Sequence, residues 1–318
     1  MEFALINLRL TLIIEHIVTI KGWMGELMKK PKWLRISVPS GENYVGVKKT
    51  LASLELHTVC EEARCPNIGE CWGGGTATIM VMGDICTRGC RFCSVASGRP
   101  LYLDPDEPER VAKAINKRGL RYVVITSVCR DDLHDGGAEH IAKTINAIKM
   151  LCPGTIVEAL IPDFQGNRDS IRKVVDARPE VISHNIETVA RLSPMVRDHR
   201  AAYEQSLHVL EMIKRINSRI YTKSSMMLGL GESEEEVMQT ARDLRSARVS
   251  IITMGQYLQP TSRHLRVKEY ILPEKFNSYK QNVEKLGFKY VVAGPLVRSS
   301  YRAGELFIEN VVRRQRQA

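Results

Sequence analysis

Ile79-Met80-Val81-Met82, a short apolar run of strand character, feeds directly into Gly83-Asp84-Ile85-Cys86-Thr87-Arg88-Gly89-Cys90-Arg91-Phe92-Cys93. Three cysteines spaced C-x3-C-x2-C therefore follow the end of a strand. Thiolates this close in sequence converge on one centre, and three of them leave a fourth coordination position open. Just upstream, Cys60, Cys65 and Cys71 form another triplet spaced C-x4-C-x5-C, so six of the eight cysteines belong to two consecutive sets. Zinc sites usually pair C-x2-C knuckles, whereas a three-cysteine loop suits an iron–sulfur cubane with one exposed iron. A disulfide framework belongs to small secreted domains. A chain of 318 residues buries about 75% of its unfolded surface and needs no such staples.

Working outward, the strand-then-turn unit repeats. Tyr122-Val123-Val124-Ile125-Thr126, Ile156-Val157-Glu158-Ala159-Leu160 and Val181-Ile182-Ser183-His184-Asn185 are β-rich runs, and Tyr221 through Leu228 and Ile251 through Tyr257 follow. Helical stretches lie between them. Asp104-Pro105-Asp106-Glu107 starts one that Gly119 stops, and Ser233-Glu234-Glu235-Glu236 is a capping box for another. Six β/α units predict a parallel sheet, doubly wound or curled into a barrel, with function in the loops at the strands' C-terminal ends. The downstream cysteine triplet, Arg130-Asp131-Asp132, the end of His184-Asn185-Ile186-Glu187 and Gly229-Leu230-Gly231-Glu232 each follow a strand, so four polar motifs share one face.

The formal charge is +10, which favours an acidic partner. Aromatics are only 6% and no basic stripe carries them, which speaks against a nucleic-acid surface. In residues 1–27, Arg9, Glu15 and His16 interrupt the apolar stretches, so a membrane span is not expected there; nor is a secretory signal. That segment reads as an amphipathic appendage or an upstream start, and the expected location is cytoplasmic.

The run Gly83–Cys93 resembles the radical S-adenosylmethionine (SAM) superfamily. Within it, Cys60-Glu61-Glu62-Ala63-Arg64-Cys65-Pro66-Asn67-Ile68-Gly69-Glu70-Cys71 resembles the lipoyl synthase family. Ile161-Pro162-Asp163-Phe164, His184-Asn185-Ile186-Glu187-Thr188, Gly255-Gln256-Tyr257-Leu258-Gln259-Pro260-Thr261 and Arg298-Ser299-Ser300-Tyr301 are similar to signatures of the same family, and the likeness runs from about residue 32 to 305. It implies an α/β fold, a partial (β/α)6 TIM-type barrel over 78–262. An auxiliary-cluster segment at 28–77 would precede it and a C-terminal extension at 263–318 would follow, the latter with a basic tail.

The resemblance also implies roles. Cys86, Cys90 and Cys93 would hold a 4Fe–4S cluster whose open iron binds SAM and whose electron cleaves it to a 5′-deoxyadenosyl radical. Cys60, Cys65 and Cys71 would hold an auxiliary 4Fe–4S cluster, with Ser300 as fourth ligand ahead of Ser299. In the family, sulfides of that cluster enter C6 and C8 of an octanoyl chain on a carrier lysine. Asn185 and Glu187 would meet the SAM ribose, Phe92 the adenine, and Thr126, Ser127 and Asp131 the methionine amino group. Arg200 and Lys223 would meet its carboxylate. Implied partners are octanoylated lipoyl carriers (the glycine cleavage H protein and E2 lipoyl domains), a ferredoxin or flavodoxin as low-potential donor, and a carrier that rebuilds the cluster.

Three positions depart from the family pattern. Cys129 stands where Asn or Asp is usual, and His199 and Arg266 where proline is usual. Cys152, without a partner in sequence, reads as a core thiol. The competing accounts are a radical SAM sulfurtransferase closer to biotin synthase and a non-catalytic, metal-stabilised nucleic-acid binder. The charge generates a first prediction: an acidic, octanoylated carrier domain should bind more weakly as salt rises, because its steering by Lys29-Lys30-Pro31-Lys32 and Lys48-Lys49 is screened. Affinity flat across a salt titration would remove this reading.

Overall fold

The computed structural model describes residues 30–36, 41–63, 65–73, 76–300 and 308. The segment set apart at 1–27, Tyr301 of the terminal motif and the basic tail lie outside the described residues. Two units divide the chain at residue 35. In the first, the described part is a 3-10 helical turn, Lys32–Leu34, in which Leu34 is buried.

The second unit is built on one sheet. Its strands are β1 (His57–Thr58), β2 (Thr78–Val81), β5 (Tyr122–Ser127), β6 (Ile156–Leu160), β7 (Val181–Ser183), β8 (Tyr221–Leu228), β9 (Ile251–Gln256) and β10 (Tyr290–Gly294); β3 (Ile85–Cys86) and β4 (Ala96–Ser97) pair separately within the downstream cysteine loop. The order is β1-β2-β5-β6-β7-β8-β9-β10, every neighbour parallel except β1 against β2. This is a partial barrel, since no pairing between β1 and β10 closes it among the described residues. The six expected strands are all present. Besides the β3–β4 pair, two strands of the main sheet were not anticipated: β1 is only two residues long, and β10 lies in the stretch read as a C-terminal extension.

Period-2 alternation divides the strands between two environments. Val123, Ile125, Val157, Ala159 and Ile182 pack with Val111, Ile115, Ile141, Ile145, Ile171 and Val174 of the covering helices. The alternate residues Tyr122, Val124, Ile156, Val181, Tyr221 and Ile251 form a separate cluster on the inner face. Further along the same face, towards the strands' C-terminal ends, polar groups take over. Glu158 accepts from the Tyr122 hydroxyl, the Ser183 hydroxyl and Lys223 Nζ.

Helix ends follow the sequence chemistry. Gly119 closes Glu107–Arg118 in the left-handed conformation at φ 57°, which costs glycine nothing. Ser233 and Glu236 exchange both capping-box bonds at the start of Glu234–Ser246. Cys152 is buried, its Sγ 3.8 Å from the Ala112 carbonyl, as a core thiol should be.

Gly255, on β9, touches the C-terminal segment directly. A Cβ there would stand 1.9 Å from the Val297 carbonyl oxygen and 2.9 Å from its carbon. Backbone cannot yield cheaply to such an intrusion, so Gly255→Ala should cost about 1–3 kcal/mol. A urea midpoint unchanged from that of the unsubstituted chain would show that the segment is not held there.

Candidate metal centres and cofactor site

The downstream triplet sits in the loop that follows β2, at the C-terminal end of the parallel strands, and backbone donors fix its sulfurs. Cys86 Sγ accepts from Arg88 N at 3.4 Å and from Cys129 N at 3.3 Å, and Cys90 Sγ accepts from Asp198 N at 3.3 Å. The loop is strapped from three other directions. Thr87 N donates to the Cys129 carbonyl, Arg91 N to the Val196 carbonyl, and the His264 ring lies 2.9 Å from the Cys93 carbonyl.

Arg88 anchors this arrangement, and sequence reasoning gave it no role. Its guanidinium donates to both oxygens of Asp131 at 2.7 and 2.9 Å and to both of Asp163 at 2.7 and 2.8 Å. The side chains of Arg88, Asp131 and Asp163 are only 4%, 12% and 1% exposed. Burial opposes ionisation of Asp131, but bonds from Arg88 and Thr87 prevail and bring its carboxyl down to about 2. Asp163 is lowered in the same contest, with Arg88 again prevailing over burial. Both residues stood in recognised motifs, so the signal was present; the partnership was not.

The residues expected around SAM divide into two groups. Ser127 Oγ and Asn185 Oδ1 are buried and have no hydrogen-bond partner among the described residues. Ser127 ends β5 and Asn185 lies two residues beyond β7, its Nδ2 donating to Glu187 Oε1 at 3.1 Å. Glu187 adopts φ 67°, a strained conformation for a non-glycine residue, and burial raises its carboxyl. Thr126 is buried one residue below the end of β5, and Phe92 packs against the cluster that holds Ile186, Val189 and Tyr257. The second group is engaged elsewhere. Asp131 is bound by Arg88, and Arg200 holds Asp198 at 2.8 Å, reaches Asp131 at 3.4 Å and donates to the Thr87 carbonyl. Lys223 is buried below the rim against both oxygens of Glu158. Gly229, at φ 101°, is required by packing: a Cβ there would meet Gln256 Nε2 at 2.2 Å and the Glu269 carbonyl at 2.4 Å.

The departing residue Cys129 faces the downstream centre. Its thiol hydrogen-bonds to Cys86, which lowers Cys86 to about 6 and raises Cys129 well above the ordinary thiol value. His199 is exposed beside Asp198, at 3.5 Å from it.

The upstream triplet is formed by two short helices, Val59–Glu62 and Ile68–Gly73, and the turn between them. Thr58 caps the first by accepting from Glu61 N at 3.2 Å, and Cys65 N donates to the Cys60 carbonyl at 2.9 Å. Two contacts reach across the chain. Asn67 Nδ2 donates to the Leu296 carbonyl at 2.6 Å, and the half-buried Arg298 lies close enough to Cys65 to favour its thiolate. Leu296 and Arg298, which precede Ser299-Ser300, are thus brought to the upstream cysteine turn. Both serines are half-buried.

These donors fit iron–sulfur clusters better than single ions. Three thiolates on one tetrahedral zinc stand about 3.8 Å apart, given bonds of about 2.3 Å. Among the described residues, the trio of metal-type ligand atoms lying within 4.8 Å of one another is His57, Glu62 and Asp84, and neither cysteine triplet closes to that distance. Burial raises Cys60 to about 11 and Cys93 to about 12, so these thiols ionise only with a strong positive charge beside them. The unpartnered Ser127 and Asn185 atoms at the rim suit a polar organic ligand.

Comparison with known proteins agrees with this geometry. Residues 80–244 match the model of the radical SAM superfamily, and residues 16–65 match that of the N-terminal domain of lipoyl synthase of that family. The second match begins inside the segment that sequence reading set apart. An apicoplast lipoyl synthase of Plasmodium knowlesi is 56% identical over 91% of this chain, which spans 66% of that relative's length, just under two thirds. A lipoyl synthase of Myxococcus xanthus is 53% identical over 92% of this chain and 98% of its own. In fold, Streptococcus suis SuiB, solved with S-adenosylmethionine, superposes with a TM-score of 0.53 at 9% identity, covering 72% of this chain and 54% of that one. The chain belongs to the radical SAM superfamily, and within it to the lipoyl synthase family.

The Arg88 cluster generates a pH prediction. Folded-state carboxyls held below their ordinary 3.8 contribute stability that is present above about pH 4 and lost as pH falls towards about 2. Asp163→Asn leaves a buried cation short of one partner and should cost about 3–5 kcal/mol at pH 7. Asp131→Asn should flatten the loss of stability between about pH 4 and 2. Urea titrations at several pH values test both, and an unaltered acid limb in Asp131→Asn would contradict the assignment.

Proposed function

We propose that this chain is a lipoyl synthase that inserts sulfur at C6 and C8 of a protein-bound octanoyl chain. The observation that carries the reading is the meeting of the upstream cysteine turn with the C-terminal segment, Asn67 with Leu296 and Cys65 with Arg298, across more than two hundred residues. An auxiliary cluster that takes a serine ligand from the adjoining Ser299-Ser300 gives that meeting a purpose. When bound, the two 4Fe–4S clusters and SAM supply a carbon-centred radical for unactivated C–H bonds and the sulfur that replaces hydrogen, chemistry that no side chain provides.

The chain's own residues bind, orient and shield. Cys86, Cys90 and Cys93 hold the radical-generating cluster, with backbone N–H donors directed at two of their sulfurs. Ser127 Oγ and Asn185 Oδ1 offer the SAM site two unpartnered polar atoms, and Glu187 offers the ribose a carboxylate. Arg200, though paired with Asp198, is 35% exposed and remains the candidate for the methionine carboxylate, whereas Lys223 is 4% exposed and committed to Glu158. Thr126 and Phe92 line the same rim. Cys60, Cys65 and Cys71 hold the donor cluster with Ser300, whose alkoxide is a hard ligand for a soft site and therefore releases readily.

The substrate reading is an octanoylated carrier domain, acidic to match the charge of +10. A low-potential ferredoxin or flavodoxin and a cluster-rebuilding carrier complete the cycle. Among the described residues no helix is long and apolar enough to cross a membrane. We place the enzyme in the cytoplasm.

The experiment separates the two centres. Cys86→Ala should abolish SAM cleavage, whereas Cys65→Ala should still release 5′-deoxyadenosine yet form no carbon–sulfur bond, with iron content and circular dichroism verifying that each variant folds. Ser300→Ala should lose sulfur insertion and keep SAM cleavage. Lipoyl product from a Cys65→Ala protein with one intact cluster would overturn the reading; damage from Ser299→Ala alone would reassign the ligand.

A further inference from the structure

Trp72 follows Cys71 in the helix Ile68–Gly73 and is completely buried, at 0% exposure. It belongs to the same apolar cluster as Cys60, Cys71, Leu51 and Ile79, and its ring packs at 5.2 Å from that of Tyr44, tilted by 31°. Packing explains an aromatic residue here, and phenylalanine would serve. It does not explain the indole nitrogen. Nε1 can only donate, and it has no hydrogen-bond partner among the described residues. The Cys60 sulfur, in the same buried cluster, is near enough for the N–H to work against the burial that raises its thiol, but short of a full hydrogen bond. A neutral thiol accepts weakly; a metal-bound thiolate or sulfide carries negative charge and accepts well.

We propose that Trp72 is a positioning residue of the upstream centre, its indole N–H donating a hydrogen bond to the sulfur ligation of the cluster held by Cys60, Cys65 and Cys71. The inference rests on the reading of that triplet as a cluster site. Hydrogen bonds to ligating sulfurs withdraw charge from the iron and raise the reduction potential, and they orient the ligand. With Arg298 beside Cys65, the upstream sulfurs would then face a cation on one side and a neutral donor on the other. Both favour the more reduced, more negative cluster.

The test uses the full chain carrying Cys86→Ala, in which only the upstream centre can assemble, with and without Trp72→Phe. Iron and sulfide content should be equal in the two, and the midpoint potential should shift to a more negative value when the N–H is removed. An unchanged potential in a Trp72→Phe chain that retains its cluster overturns the proposal. A Cys86→Ala chain that takes up no iron overturns the cluster reading instead, and the inference with it. Should Trp72→Phe fail to fold, the unsubstituted chain still decides. Its tryptophans are Trp23, Trp33 and Trp72. In protein labelled with 15N-indole, loading the cluster should displace one indole N–H resonance by a paramagnetic shift, and that resonance should be the one closest to iron. Three indole resonances unmoved by loading would refute the hydrogen bond.

Discussion

A single buried cation organises the chemical end of this molecule. Arg88 belongs to the downstream cysteine loop, and the carboxylates that neutralise it belong to the loops following β5 and β6. A guanidinium removed from water is costly unless opposite charge surrounds it in good geometry. The two aspartates meet that condition with four short bonds, so the loop has one low-energy position over the strand ends. The Cys86 and Cys90 sulfurs, and the backbone N–H groups directed at them, depend on that position.

A comparable constraint operates at the other edge of the sheet. Gly255 lets the chain around Val297 lie directly on β9, and Asn67 ties Leu296 to the upstream cysteine turn. Each contact involves backbone, which tolerates little displacement. Together they carry Arg298 to a cysteine far away in sequence. Strand β10 supports this by continuing the sheet to Gly294, three residues before Val297.

The inner face of the sheet explains why the centres lie where they do. Its floor is apolar, from Tyr122 to Ile251, and its middle is the closed network of Glu158 with Tyr122, Ser183 and Lys223. Those groups satisfy one another and leave nothing for a ligand. Among the described residues, buried polar atoms without partners stand at Thr253 in the middle of β9 and, towards the strand ends, at Ser127, Asn185 and Thr188. Ser127 and Asn185 stand where a charged cofactor over the strand ends has most need of such atoms.

The sequence by itself determined the six central strands, the caps at Gly119 and Ser233, and the grouping of cysteines into two triplets, because each is encoded by local periodicity, turn chemistry or close spacing. It also carried the family resemblance. Strand β10 was missed because Tyr290–Gly294 lies in a stretch set apart as an extension; β1, at two residues, gives no periodic signal at all. Only the tertiary structure decided which charges are free. Lys223 and Asp131 were eligible ligands in one dimension, and in three they belong to Glu158 and Arg88. The partner of an ionic group is chosen by contacts across tens or hundreds of residues, and no local pattern records that choice. The orphaned nitrogen of Trp72 is the same kind of fact, since an unmet donor is defined by everything packed around it.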